Sequence, residues 1–179
     1  MSKPDRYHPL LVALHWLSAL LIVFMLLVGT FVLSETPNNE SKVTPLMLHM
    51  VTGLLILALT VVRFIVRLAT PKPAPATTGN QFLDLVGVAT HWLLYLGALG
   101  MGISGLGIAL QAGLFASVFG GTGDLPQTFY LYAPRIGHEY VSLGLFALIG
   151  LHVAAALYHQ FIRRDGLLRR MAFARKTKG

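Results

Sequence analysis

Residues 136–162 read IGHEYVSLGLFALIGLHVAAALYHQFI. The stretch is apolar almost throughout and exceeds the ~20 residues that a helix needs to cross about 30 Å of hydrocarbon. It also carries three histidines, His138, His152 and His159. A polar side chain at membrane depth is costly and needs a partner, so histidines in such a segment point to function. His138 and His152 are fourteen positions apart. On an α-helix that is ~21 Å of rise and only about 40° of rotation. Both therefore face the same side of the helix, at two depths.

Three further runs of the same kind precede it. They extend over about 10–33, 45–68 and 82–110, with the fourth at 136–162. The first is longer than the ~7–15 residues of a signal-peptide core, and Ser-Glu-Thr-Pro after it is a poor cleavage context, so it is read as a retained helix. Thr44-Pro45 is read as the start of the second, with Pro at the first helical position. A Pro-rich linker, TPKPAPATTGN (70–80), separates the second run from the third. A Gly-, Pro- and Tyr-containing connection, 111–134, separates the third from the fourth. The expectation is an all-α integral membrane protein, a single membrane domain over 1–179 built as a bundle of four transmembrane helices.

Composition supports this reading. Of 179 residues, 55% are hydrophobic and 12% charged, about half the charged share of a soluble domain. Mean hydropathy is +0.67, which excludes a water-soluble globule and a disordered chain alike. There is no Cys, so disulfides, thiolate metal sites, iron–sulfur clusters and haem attached through Cys-x-x-Cys-His are excluded. The net charge of +7 comes largely from seven Lys and Arg in the segment 163–179. Charge placed behind an apolar run belongs to the membrane surface and not to a nucleic acid. Lys3, Arg6, Arg63, Arg67, Lys72 and the C-terminal seven fall on one side of the bundle, against only Lys42 and Arg135 on the other. The positive-inside rule then puts both termini in the cytoplasm, in a bacterial inner membrane.

Six of the seven histidines, His15, His49, His91, His138, His152 and His159, lie in or at the edge of the four runs. One such histidine serves well as an interhelical hydrogen-bond link, but six across four helices exceed that role. His49 and His138 both sit near the start of their helices on the side opposite the termini. His15 lies deeper toward the termini, where depth alone admits His152, His159 or His91 as its partner. Two flat macrocycles, each held between facing helices by one His from either side, require this arrangement. Bis-His haem leaves no open position on iron and suits electron transfer. Gly53 and Gly144 lie near these positions, whereas Gly100, Gly102, Gly105 and Gly107 are read as helix-packing positions. A His-lined zinc or nickel transporter is the rival, but such sites usually add carboxylates, and only Asp84 and Glu139 lie near the runs, at helix ends.

The segments LLVALHWLSALL, MLHMVTGLLILALTVVRFIVRL, ATHWLLYLGALGMGISGL and RIGHEYVSLGLFALIGLHVAAALYH, in that order, resemble the bacterial cytochrome b561 family over about 7–170. The resemblance implies a four-helix inner-membrane cytochrome with two haem b groups. It implies His15 and His152 as ligands of the haem on the cytoplasmic side, and His49 and His138 as ligands of the periplasmic one. The family moves electrons between a periplasmic one-electron donor and membrane ubiquinone, and it includes a superoxide:ubiquinone oxidoreductase. On that reading Arg135, with Lys42 behind it, is the candidate landing place for a small anionic donor. His91 and His159 are candidates for binding or protonating quinone, and Arg63 and Arg67 for holding haem propionates. The alternative is an electron-transfer anchor subunit of a periplasmic hydrogenase or dehydrogenase, docking a periplasmic redox protein on 111–134.

Overall fold

The computed structural model describes residues 4–121 and 124–173. Lys3, Arg175, Lys176 and Lys178, counted above for orientation, lie outside the described residues. Four long helices dominate. α1 covers Pro9–Val28, α2 Glu40–Ala69, α3 Gln81–Gln111 and α4 Ala133–Leu157. α1 and α4 each run on into a π-helical turn, Gly29–Leu33 and Tyr158–Arg163. No strand occurs among the described residues.

All four helices are long and apolar enough to cross a membrane. Between 6% and 28% of the most apolar stretch of each is buried inside the protein. The remaining apolar surface, including Leu20, Phe31, Leu96, Ile103 and Phe161, points outward. In water that surface would be prohibitive, and in a bilayer it is the solvent-facing surface. The chain is a multi-pass membrane protein.

The N-terminus of α2 departs from the sequence expectation. The helix begins at Glu40, capped by the Asn39 side chain, which accepts from the Ser41 N–H at 3.0 Å. Pro45 lies inside it. Asn at the cap and Glu40 in the first turn satisfy orphan amides and complement the helix dipole, and they outweigh the hydrogen bond that Pro45 cannot donate. His49 is therefore nine residues into the helix, roughly 13 Å along its axis, deeper than a start at Pro45 would place it. α4 starts earlier than expected as well, with Pro134 inside its first turn.

The 111–134 connection is also more ordered than its composition suggests. It forms a π-helical turn, Phe115–Phe119, and a short 3₁₀ turn, Phe129–Leu131. Leu114 and Val118 pack with Ile108 and Ala109, against Met47 and Met50 of α2. Asn38 ties the α1–α2 loop to it by donating to the carbonyls of Pro126 and Gln127.

α2 packs between α1 and α3, and α3 packs most extensively on α4. Two glycines of α3 allow this. A Cβ at Gly102 would lie 2.8 Å from Leu57 Cδ1, and one at Gly107 3.1 Å from Pro134 Cγ. α4 by contrast packs closely on α3 alone among the long helices. The functional histidines face one another across the space between α4 and its two distant neighbours.

Candidate functional site: two histidine pairs

His15 of α1 and His152 of α4 have ring centres 6.3 Å apart. His49 of α2 and His138 of α4 repeat the same separation, 6.3 Å. Two imidazoles on opposite faces of one metal ion, each nitrogen about 2 Å from it, have ring centres roughly 6 Å apart. The fit to one iron per pair is therefore direct. His91 does not share it. Its ring lies edge-on to His152 at 5.2 Å, a contact distance, and its Nδ1 donates to the Gly87 carbonyl at 2.6 Å.

On His138, Nδ1 meets Ser104 Oγ at 3.0 Å. The Ser104 hydroxyl donates to the Gly100 carbonyl at 2.7 Å, so its oxygen accepts from His138 Nδ1–H. That fixes the tautomer and leaves the Nε2 lone pair for a metal. The next residue, Gly105, lets the ring approach α3, since a Cβ there would stand 3.3 Å from His138 Cε1. Across the gap, His49 Nδ1 is enclosed and without a partner among the described residues.

Around the other pair the chemistry is cationic. Arg63 Nη2 donates to His15 Nδ1 at 2.8 Å, and its guanidinium lies 5.1 Å from the Tyr95 ring centre, with that of Arg67 at 5.8 Å. Ser18 Oγ, Arg63 Nε and Tyr95 OH are enclosed without hydrogen-bond partners among the described residues. A guanidinium N–H and two hydroxyls left unsatisfied in a low-dielectric site call for an anionic group, a role that haem propionates would fill. If His15 ligates iron through Nε2, Nδ1 carries a proton and no longer accepts from Arg63, which releases the guanidinium toward a carboxylate.

The glycines sort by surroundings. A Cβ at Gly53 or Gly144 would meet nothing within 4 Å, unlike the tightly packed Gly102 and Gly107. Gly53 stands one turn beyond His49 on the same face of α2, so that helix is bare where a macrocycle would lie against it, whereas Gly144, six residues past His138, projects about 120° away from that ring and does not lie between the pairs.

The remaining predicted residues sit apart from the pairs. His159 is buried, and its Nδ1 donates to Asp165 Oδ2 at 2.5 Å. Arg163 Nε lies 3.5 Å from the same carboxylate oxygen. Burial raises the Asp165 pKa, but the hydrogen bonds from His159 and the Leu167 N–H, with Arg163 beside them, outweigh it, and the net shift is downward. At the opposite end, Arg135 pairs with Glu139 at 3.1 Å and stacks over Tyr130, 4.7 Å from the ring centre. Tyr130 OH donates to Glu139 Oε2, which raises the phenol pKa. Lys42 is buried, with Nζ donating to Asn38 Oδ1 at 2.5 Å. An incoming anion would meet Arg135 as a neutralised pair. Ser104, Tyr95, Glu139 and Asp165 were not singled out as site residues from sequence. A lone hydroxyl in the apolar second half of α3 was the one available signal for Ser104.

A family model described as prokaryotic cytochrome b561 matches residues 6–174. "Cytochrome b561 homolog 2" of Escherichia coli K12 is 31% identical over 175 residues, covering 95% of this chain and 93% of that protein. A Yersinia pestis protein named "Probable superoxide oxidase CybB" is 28% identical, covering 93% of this chain and 95% of its own length. "Cytochrome b562" of Cereibacter sphaeroides is 29% identical, covering 96% and 98%. The chain belongs to the prokaryotic cytochrome b561 family, membrane b-type cytochromes that bind haem and transfer electrons.

Proposed function

We propose that this single membrane domain holds two haem b groups, one between His15 and His152 and one between His49 and His138. It passes electrons between a one-electron donor on the periplasmic face and ubiquinone, with both termini cytoplasmic. The observation that carries this reading is the recurrence of the 6.3 Å imidazole separation at two depths along α4. Bound haem supplies a reversible one-electron couple at each depth. The protein's own part is to fix the imidazoles, through Ser104 on His138, and to offer Arg63 and Arg67 to propionates.

Superoxide is the proposed donor, supported by the similarity to the Yersinia protein named as a superoxide oxidase. Two superoxide anions would each give up one electron and leave as oxygen. One ubiquinone would take both electrons and two protons to become the quinol. Arg135, with Lys42 near it, is the proposed landing place, where the incoming anion displaces Glu139 from the guanidinium, and His91 and His159 are the proposed quinone-side groups.

The test is haem stoichiometry by pyridine haemochrome on detergent-purified protein, followed by superoxide-driven quinone reduction. Two b haems per chain with a low-spin spectrum are expected. One haem would leave a single pair standing, and none would bring forward the His-lined transporter.

A further inference from the structure

At the end of the bundle that carries both chain ends, three segments remote in sequence are tied together. The Tyr7 N–H donates to the Arg170 carbonyl at 3.1 Å, and Arg6 Nη1 to that of Phe173 at 3.0 Å. Arg170 Nη1 donates to the Ala74 carbonyl at 2.6 Å, joining the tail to the Pro-rich linker. The tail reverses at Gly166, whose φ of +73° favours glycine, and enters a 3₁₀ turn, Leu167–Met171. Between the three segments lies a cleft of about 380 Å³ lined by Arg6, Arg169, Arg170, Asp5, Pro73 and Gly166, among others.

Three guanidiniums against one carboxylate give this cleft a formal charge of +2. Its depth is set by the helix ends. Arg6 stands just before α1, Pro73 just after α2 and Gly166 just beyond the π-helical turn of α4. That is headgroup level. Trp16 supports the placement, because its ring is half exposed while Nε1 donates to the Met171 carbonyl at 2.8 Å. An indole with an apolar face outward and a satisfied N–H is characteristic of the membrane–water interface. Leu10 and Phe173, both exposed, supply apolar surface at the same level.

We infer that this cleft binds the headgroup of an anionic glycerophospholipid from the surrounding leaflet, of the phosphatidylglycerol type. The guanidinium forks match phosphodiester oxygens bidentately. Asp5, exposed beside them, can accept from the hydroxyls of a glycerol headgroup. The bound lipid bridges N-terminal arm, linker and tail, and so fastens the end of α4. The inference does not depend on the electron donor or acceptor.

The experiment uses haem-loaded protein, delipidated in detergent. Native mass spectrometry and thermal unfolding followed at the Soret band are recorded with phosphatidylglycerol, phosphatidylethanolamine, phosphatidylcholine or inorganic phosphate added. One tightly held phosphatidylglycerol per chain and a raised Tm are expected, with little effect from the other three. Arg169→Gln should weaken phosphatidylglycerol binding at least about tenfold, the loss of a charge-assisted fork, while Arg164→Gln, outside the cleft, should not. Equal stabilisation by phosphatidylcholine, an equal effect of inorganic phosphate, or equal losses in the two variants would each overturn the inference. Should Arg169→Gln fail to load haem, Arg169→Lys replaces it. That variant keeps the charge and loses the fork, and unchanged binding there would likewise count against the cleft.

Discussion

Replacing Ser104 by Ala removes the oxygen that accepts from His138 Nδ1–H at 3.0 Å and leaves the ring's nitrogen without its support. The lost hydrogen bond amounts to about 1 kcal/mol. A hydrogen bond of this kind makes the imidazole a stronger donor to its metal and favours the oxidised form. Its loss should therefore raise the midpoint potential of the haem proposed between His49 and His138. About 1 kcal/mol acting wholly on one redox state corresponds to roughly 40 mV for a one-electron couple, so a rise of roughly 20–40 mV is expected. His152, which with His15 would hold the other haem, lies ~21 Å from His138 along α4, and the potential of that haem should not respond. The assay is a spectroelectrochemical titration of the purified protein, with electron paramagnetic resonance to resolve the two low-spin signals. A fall in potential, equal movement of both haems, or no movement at all would refute the assignment of Ser104 as the acceptor and of His138 as a ligand.

Ala at His49 or His138 should remove one haem, and Ala at His15 or His152 the other, read by pyridine haemochrome. His91→Ala should keep both, because its ring centre lies 5.2 Å from that of His152, closer than the 6.3 Å at which the two proposed ligand pairs stand. Gly53→Leu meets no protein atom within 4 Å of its Cβ yet stands one turn from His49 on the face proposed for a macrocycle, so haem content should fall while far-ultraviolet circular dichroism stays helical. Gly102→Ala forces a methyl against the Leu57 side chain close to its backbone, and should cost about 1–3 kcal/mol, seen as a lower Tm with haem content retained in what remains folded. Arg63→Gln removes a cation beside the His15 pair, and should lower the potential of that haem by tens of mV in the same redox titration.

Much of the architecture is written in local chemistry. Runs of apolar residues some 20–30 long can satisfy their backbone in a bilayer only as helices, and the basic residues gathered behind Ile162 follow from the same membrane. The equal facing of His138 and His152 needs only helical periodicity. Local chemistry also misled at helix starts: Pro45 looked like the start of α2, yet the Asn39 cap and Glu40 began it five residues earlier, and α4 begins at Ala133. The order within 111–134 was hidden too, because its turns are held by packing on α2 and α3 and by Asn38, contacts far apart in sequence.

What only the tertiary structure decided is which histidines meet. Depth along a helix is a one-dimensional quantity, and by depth His91, His152 and His159 were interchangeable partners for His15. The azimuth of each helix brings His152 to 6.3 Å from His15, sets His91 at 5.2 Å from His152, and turns His159 onto a carboxylate of its own in Asp165. The same holds for Ser104 under His138 and Arg63 on His15. An apolar pattern says that a helix has no strong preference for which side faces lipid, and only packing against particular neighbours removes that freedom.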